Sequence, residues 1–574
     1  MGPTPAATAA PAWVSPSPLC GGGWPAERVG RGERPLRIWR SPLPILADAR
    51  ATLPRRGGRG CALGLALLLA FSPLSAAAQA PQRPPSEARL PEGRKLPPDS
   101  TTAQSITLPD GRTIAFTATA GSLPLVDESG KLQAEIAFVA YTRPAEAGTA
   151  RPITFAINGG PGAASAYLNV GAIGPWRLPV EGPSISPSRP VALVPNDGTW
   201  LDFTDLVFVD PVGTGYSRAA DGDGKGYWGV EADAAVLSAA IARYLRVNTR
   251  MADPKFYVGE SYGGFRGPLI AAKLQEDIGV GLSGLVLLSP VLDFATLQPP
   301  RGNPWGNVLR LPSYAAGALE RAGRVPTRAT LSDTESYATG AYLADLLKGP
   351  GDAQAVARLT ERVAALTGLD PAFVRAQGGR PSSNSVQREV DRASGRIASA
   401  YDTAVTGWDP DPNAAHSGFD DPLLTALQAP LTSAMIDLYA RTLNWRVTNL
   451  RYELLNTAVN RSWSWGGGRS APEAVGALRG VLALDGNLRV LVAHGFTDLV
   501  TPYFASKLLI DQIPSYGPEP RLTLAVYPGG HMFYSRPEAR AAFRRDVAAM
   551  YAAALTAREA GAAPPPPERA KETR

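Results

Sequence analysis

A serine set between two glycines, with an acid directly before it, marks the segment Lys255-Phe-Tyr-Val-Gly-Glu-Ser-Tyr-Gly-Gly-Phe-Arg-Gly-Pro268. A short apolar run enters Gly259-Glu-Ser-Tyr-Gly263 and a helix-like segment leaves it, so Ser261 is predicted to sit on a sharp strand-to-helix turn. Such a turn needs neighbours without Cβ atoms, which Gly259 and Gly263 supply. The helix N-terminus beside the hydroxyl would favour the negative charge that develops when serine attacks an acyl carbon. With 59 glycines in 574 residues the same pattern also arises in ordinary loops, so its surroundings must decide.

Three other segments supply those surroundings. Upstream, Ile153-Thr-Phe-Ala-Ile-Asn-Gly-Gly-Pro-Gly162 is an apolar strand ending in a glycine-rich turn, a source of backbone N–H groups for an oxyanion. Downstream, Leu488-Arg-Val-Leu-Val-Ala-His-Gly-Phe-Thr-Asp498 is a strand followed by an acid. Leu522-Thr-Leu-Ala-Val-Tyr-Pro-Gly-Gly-His531 is a strand followed by a histidine. The order serine, acid, histidine is that of α/β-hydrolases. Only three histidines exist in the chain. His531 has the strand-end position of a general base, His494 that of a packed structural residue, and His416 falls in a region with no matching motif. Asp485 and Asp511 compete with Asp498, but only Asp498 directly follows a strand ahead of the final strand and helix.

On these residues the chain resembles the serine carboxypeptidase family. Asn158-Gly-Gly-Pro-Gly162, Phe208-Val-Asp-Pro-Val-Gly-Thr-Gly-Tyr-Ser217, Gly259-Glu-Ser-Tyr-Gly-Gly264, the Asp498 segment and Gly530-His531-Met532 follow that family's order, across roughly residues 105 to 550. The low cysteine count suggests a bacterial-type member. The resemblance implies a Ser261, Asp498, His531 triad, an oxyanion hole at the N–H groups of Gly160 and Tyr262, and binding of the substrate's terminal carboxylate by Asn158, Gly159 and Glu260. A desolvated Glu260 would be pushed toward its neutral form, which donates a hydrogen bond to a carboxylate instead of repelling it. The implied substrates are peptides with a free C-terminus, with no cofactor and no metal. Two departures touch the carboxylate site: Ala156 stands where the family often has Trp, and Ala172 where it has a second Glu. A shallower preference for acid pH than in two-acid relatives is therefore expected. An acyltransferase or esterase uses the same acyl-enzyme and remains an alternative. A prolyl aminopeptidase-like hydrolase shares Gly-Gly-Pro-Gly but not the other blocks, and a non-catalytic binding protein would have no use for a complete triad.

The elements that must position these residues read as an α/β fold: a mostly parallel central sheet flanked by helices, with a mainly helical cap insertion. Short alternating runs over 105–143, with turns at Pro109-Asp-Gly and Glu128-Ser-Gly, predict an antiparallel entry to the sheet. Apolar runs at 153–157, 206–210, 255–259, 284–289, 488–494 and 522–527 predict parallel strands, with helices near 228–247, 502–512 and 537–554. The core thus divides into 105–294 and 481–556, with the cap over 295–480, where Val356, Leu359, Val363 and Leu366 keep helical spacing.

Charge and leader complete the reading. Formal net charge is +6, but residues 1–80 hold nine Arg against three acids, which leaves 48 basic and 48 acidic side chains downstream. Nothing in that balance points to nucleic acid or an anionic membrane surface. Arg55, Arg56 and Arg59 precede the apolar run Cys61–Phe71, and Ser75-Ala-Ala-Ala-Gln-Ala80 offers small residues for cleavage, the pattern of an export signal too short to span a bilayer. Residues 1–50 carry no signal or fold pattern, as expected if translation starts further downstream. Residues 81–104 read as a Pro-rich linker and 557–574 as a Pro-rich tail. Both cysteines, Cys20 and Cys61, lie in the leader, so the exported chain would hold no disulfide or thiol site. Periplasm or medium is the expected destination, with a new N-terminus near Gln79 or Pro81.

Overall fold

The computed structural model describes residues 93–145, 150–179, 186–188, 192–297, 302–415, 417–468 and 470–562. The leader, most of the linker, His416 and the tail beyond 562 lie outside the described residues.

Continuous apolar runs become the centre of a sheet because both of its faces are covered. The antiparallel entry is β1 (Ser100–Thr107), β2 (Thr113–Val126) and β3 (Leu132–Thr142). It leads to β4 (Ile153–Ile157), β5 (Asp205–Val209), β6 (Lys255–Glu260) and β7 (Gly284–Leu288), in which every residue is buried. β8 (Arg489–Gly495) and β9 (Leu522–Tyr527) close the order β1-β2-β3-β5-β4-β6-β7-β8-β9, with Arg218–Ala219 pairing onto β3. From β5 to β9 all neighbours are parallel. With a sharp strand-to-helix turn after β6, this is the α/β-hydrolase fold.

β1 begins five residues before the alternation in the sequence suggests, inside the expected linker. Its segment Ser-Thr-Thr-Ala-Gln-Ser carries no large apolar residue, and its inward positions are only partly covered. It forms because its backbone pairs in register with β2 from Ser100↔Ala120 to Thr107↔Thr113.

The helices flanking the sheet include α1 (Val230–Val247) and α2 (Tyr262–Lys273). The insertion contributes α3 (Trp305–Arg321), α4 (Arg328–Tyr337), α5 (Ala353–Thr367) and α6 (Leu424–Asp437). α5 shows why the spacing was legible: Asp352 caps it by accepting the N–H of Ala355, Leu359 and Val363 are buried, and Gly368 at φ 70° ends it. A short ribbon, Arg396–Ala398 against Thr406–Trp408, breaks the helical character expected there. The insertion also rejoins the core before residue 480. Leu455 bridges to Ala163, and α7 (Val475–Leu484) buries Leu478, Val481 and Leu482 in the apolar cluster that holds Leu237 and Ile241 of α1. α8 (Tyr503–Ile510) and α9 (Pro537–Ala562) follow the last two strands, and α9 carries helix into the expected tail. No helix among the described residues is long and apolar enough to cross a membrane.

One buried ion pair fixes α1 to α2 beneath the serine turn. Arg266 Nε donates to Asp233 at 2.7 Å with both side chains almost fully buried, Nη1 donates to the Asn158 carbonyl, and the guanidinium lies 4.9 Å from the Tyr262 ring centre. Removing the acid leaves a buried charge without its partner. Asp233→Ala should therefore lose about 3–5 kcal/mol of stability, read by urea unfolding. A loss under about 1 kcal/mol, typical of an exposed pair, would contradict this role.

Candidate active site

Parallel register delivers four turns to one edge of the sheet. Ile157 lies beside Gly259 and Leu288 beside Glu260, so the turn after β4 and the Ser261 turn after β6 leave the sheet together. Gly495 lies beside Tyr527, which brings the loops carrying Asp498 and His531 out on the same side. Strand C-termini are where open α/β sheets collect their functional groups.

Ser261 sits at φ 60°, ψ −121°, a backbone state an L-residue rarely adopts. Its N–H donates to the Leu288 carbonyl at 2.8 Å, and its carbonyl accepts from Gly264 and Phe265 as α2 starts. A Cβ on Gly259 would collide with the Gly263 carbonyl, and one on Gly263 with the Ile157 carbonyl. Across the gap, a Cβ on Gly159 would lie 2.5 Å from Tyr262 N and 2.6 Å from the Glu260 carbonyl. The two turns thus meet backbone to backbone. The N–H groups of Gly160 and Tyr262 have no acceptor among the described residues, and both residues line one cavity of about 150 Å³ with Ser261 and His531.

His531 donates from Nδ1 to Asp498 Oδ2 at 2.7 Å. Asp498 is fully buried; its Oδ1 accepts from the N–H groups of Val500 at 2.8 Å and Thr501 at 3.0 Å. The Thr501 hydroxyl lies 2.8 Å from Asp498 Oδ2 and 2.8 Å from the Ser289 carbonyl. The His531 backbone is clamped as well, its carbonyl accepting from Ser289 Oγ at 2.8 Å and its N–H donating to the Tyr401 carbonyl. The Tyr401 ring stands edge-on 5.2 Å away. Burial draws the imidazole pKa down, but the charge and hydrogen bond of Asp498, helped by the charge of Glu260, outweigh it and leave the pKa raised. His494 differs: buried against Ser506, with Nε2 2.8 Å from its Oγ, it is pushed down to about 4 chiefly by burial. Asp485 follows the end of α7 and Asp511 pairs with Lys507, so neither reaches the cavity.

Asn158, Gly159 and Glu260 line the same cavity. Glu260 Oε2 accepts from Asn158 Nδ2 at 2.6 Å and Oε1 from the Tyr534 hydroxyl at 2.8 Å. Asn158 is held in turn by the Leu168 N–H on its Oδ1 at 2.9 Å. Burial raises the Glu260 pKa, against the opposing pull of His531 and of the bonds from Tyr534 and Asn158. Ala156 and Ala172 are buried and do not line the cavity. Tyr534, Thr501, Ser289 and Tyr401 escaped the sequence reading. Tyr534 alone had a signal, a polar-tipped aromatic three residues past His531, returned to the site by the tight turn Phe533–Ser535.

Residues 116–300 match the family model described as serine carboxypeptidase. Over that stretch this chain is similar to the serine carboxypeptidase family. The chain is 36% identical over 146 residues to the pheromone-processing carboxypeptidase KEX1 of Yarrowia lipolytica, covering 24% of this chain and 22% of that protein. It is 32% identical over 150 residues to serine carboxypeptidase-like 50 of Arabidopsis thaliana, covering 25% and 32%. The chain therefore spans less than a third of these relatives' length. Among solved structures, a proline iminopeptidase of Mycobacterium smegmatis aligns with 76% of this chain and 99% of its own at 18% identity, with a TM-score of 0.35.

The two described histidines should separate by titration. Imidazole NMR signals are expected to show His494 neutral down to about pH 4 and His531 keeping its proton above the ordinary histidine range, assigned by His494→Gln and His531→Gln. The reverse order would contradict the site.

Proposed function

We propose that this chain is an exported serine carboxypeptidase that removes C-terminal residues from peptides through an acyl-enzyme. The observation that carries it is a single cavity lined by Ser261 on its strained turn, by His531 with Asp498 bonded behind it, and by a buried carboxyl, Glu260, gripped by two donors.

In this mechanism Ser261 Oγ attacks the carbonyl of the last peptide bond and its proton passes to His531 Nε2, the ring nitrogen not engaged by Asp498. Asp498 fixes the tautomer and stabilises the imidazolium. Negative charge on the former carbonyl oxygen meets the N–H groups of Gly160 and Tyr262; each such donor is worth on the order of 3 kcal/mol in the transition state. Collapse breaks the C–N bond, His531 returns the proton to the departing amine, and water then hydrolyses the acyl-serine by the same route in reverse. The departing residue keeps a free carboxylate, which Asn158, Gly159 and a protonated Glu260 would receive. Desolvation of Glu260 favours that protonated form, and the Tyr534 hydroxyl holds its carboxyl in place.

His531 must be neutral to accept the proton, so activity on any substrate falls as pH drops through its pKa. Glu260 must hold its proton to receive a carboxylate, so activity on peptide acids alone also falls as pH rises through its raised pKa. A digested peptide library should shorten from the C-terminus by mass spectrometry, with Ser261→Ala slower by on the order of 10⁶-fold in kcat. The ratio of kcat/KM on a blocked dipeptide acid to that on its methyl ester should fall as pH rises. Shortening from the N-terminus, or a ratio independent of pH, would contradict the proposal.

A further inference from the structure

The short ribbon of the insertion, Arg396–Ala398 against Thr406–Trp408, ends in a turn that packs into the core. Ser399, Ala400, Tyr401, Asp402 and Thr403 are all buried. Asp421 holds this turn from the cap side, accepting from Ser399 Oγ and from the Ala400 N–H at 2.8 Å each while it also receives the Leu423 and Leu424 N–H groups at the start of α6. Three consecutive residues of the turn then bond to both loops that carry the base and its acid. The Ala400 carbonyl accepts the Leu499 N–H at 2.9 Å and Asp402 Oδ1 accepts the Thr497 hydroxyl at 2.9 Å, so both chain neighbours of Asp498 are tied to it. On the other loop the Tyr401 carbonyl accepts the His531 N–H, and Arg536 Nη2 donates to Asp402 Oδ1 at 2.9 Å and Oδ2 at 2.7 Å. Arg536 Nη1 is anchored on Glu320 of α3 at 2.8 Å. The approach is close: a Cβ on Gly530 would collide with the Tyr401 carbonyl and lie 2.6 Å from Asp402 Cα.

We propose that Asp402 is a positioning residue of the catalytic site: through Thr497 and Arg536 it sets the separation of the Asp498 and His531 loops, which makes the insertion a working part of the triad. The inference rests on the proposed roles of Ser261, Asp498 and His531. Asp402 is not a wall of the cavity that Ser261 lines, so it acts through the two loops and not on substrate. The loops also bond each other directly, Thr497 N–H to the Gly529 carbonyl at 2.9 Å, and Asp402 bridges the same two loops through side chains. What the bridge protects is the 2.7 Å bond from His531 to Asp498, because a misplacement of about 1 Å in a catalytic group costs about a hundredfold in rate. Burial draws the imidazole pKa down while the charge and hydrogen bond of Asp498 draw it up, so a loosened pair lowers it. A base with a lower pKa stays neutral, and active, at lower pH.

The test is kcat and KM for the ethyl ester of a blocked amino acid, with the folding of each variant checked by circular dichroism. Thr497→Val removes the hydroxyl and no charge, so kcat should fall about tenfold with KM within about twofold of the unaltered enzyme. The acid limb of its kcat/KM should move to lower pH by about half a pH unit. Thr497→Ser, which keeps the hydroxyl, should restore both. Asp402→Ala should lose about a hundredfold in kcat, and the Thr497 pair decides if that variant does not fold. A kcat unmoved in folded Thr497→Val, a loss shared by Thr497→Ser, or a fall in kcat with the acid limb in place overturns the proposal and leaves the carboxypeptidase reading standing. Ester cleavage without release of any C-terminal residue overturns that reading and leaves the role of Asp402 in force. Absence of ester cleavage by the unaltered enzyme overturns both.

Discussion

The turn after β4 and the turn that carries Ser261 touch backbone to backbone, and the spacing of Ser261, the Gly160 and Tyr262 N–H groups, Asn158 and Glu260 follows from that contact. Gly159 can have no side chain because the Tyr262 N–H and the Glu260 carbonyl occupy the space, and Gly263 none because the Ile157 carbonyl does. This closeness puts the Gly160 and Tyr262 N–H groups on the cavity that Ser261 lines. It also sets Asn158 against Glu260. A positive φ at Ser261 is affordable only where the neighbouring strands and α2 over-determine the turn, as the bond from Ser261 N–H to Leu288 and the Arg266–Asp233 pair do here.

Electrostatics then divide the buried groups by role. Asp498 receives two backbone N–H groups, the Nδ1–H of His531 and the nearby Thr501 hydroxyl. Glu260 is more poorly compensated, and its burial works toward the protonated form. The imidazole pKa of His531 is raised against burial chiefly by Asp498, with a smaller contribution from the charge of Glu260. Such a pairing of acids, one orienting the imidazole and one whose burial favours the protonated form, suits the proposed chemistry of making an alkoxide and accepting a carboxylate in one small volume.

What the sequence made legible, and what it hid, has a physical pattern. Ser261, Asp498 and His531 stand at strand ends where backbone geometry demands particular residues, so glycines and apolar runs announce them. Thr501, Ser289 and Tyr401 act through hydroxyl or carbonyl groups that many residues share, and nothing local distinguishes them. The missing second acid at Ala172 was readable as an absence, but the hydroxyl that reaches Glu260 instead comes from Tyr534, 274 residues away in the chain. The cap was legible as helix where Leu359 and Val363 repeat, and illegible where the short ribbon at Arg396–Ala398 depends on pairing with Thr406–Trp408. β1 was partly hidden because its stability comes from register with β2 rather than from its own residues.

The central claim is that the Ser261 hydroxyl is an activated nucleophile in a formed oxyanion site. Its most direct measurement is the reaction of the folded protein with a fluorophosphonate probe, followed by peptide mapping. The account predicts one adduct, on Ser261, whose rate of formation collapses in His531→Ala. No adduct, an adduct on another serine, or labelling undiminished without the imidazole would contradict it.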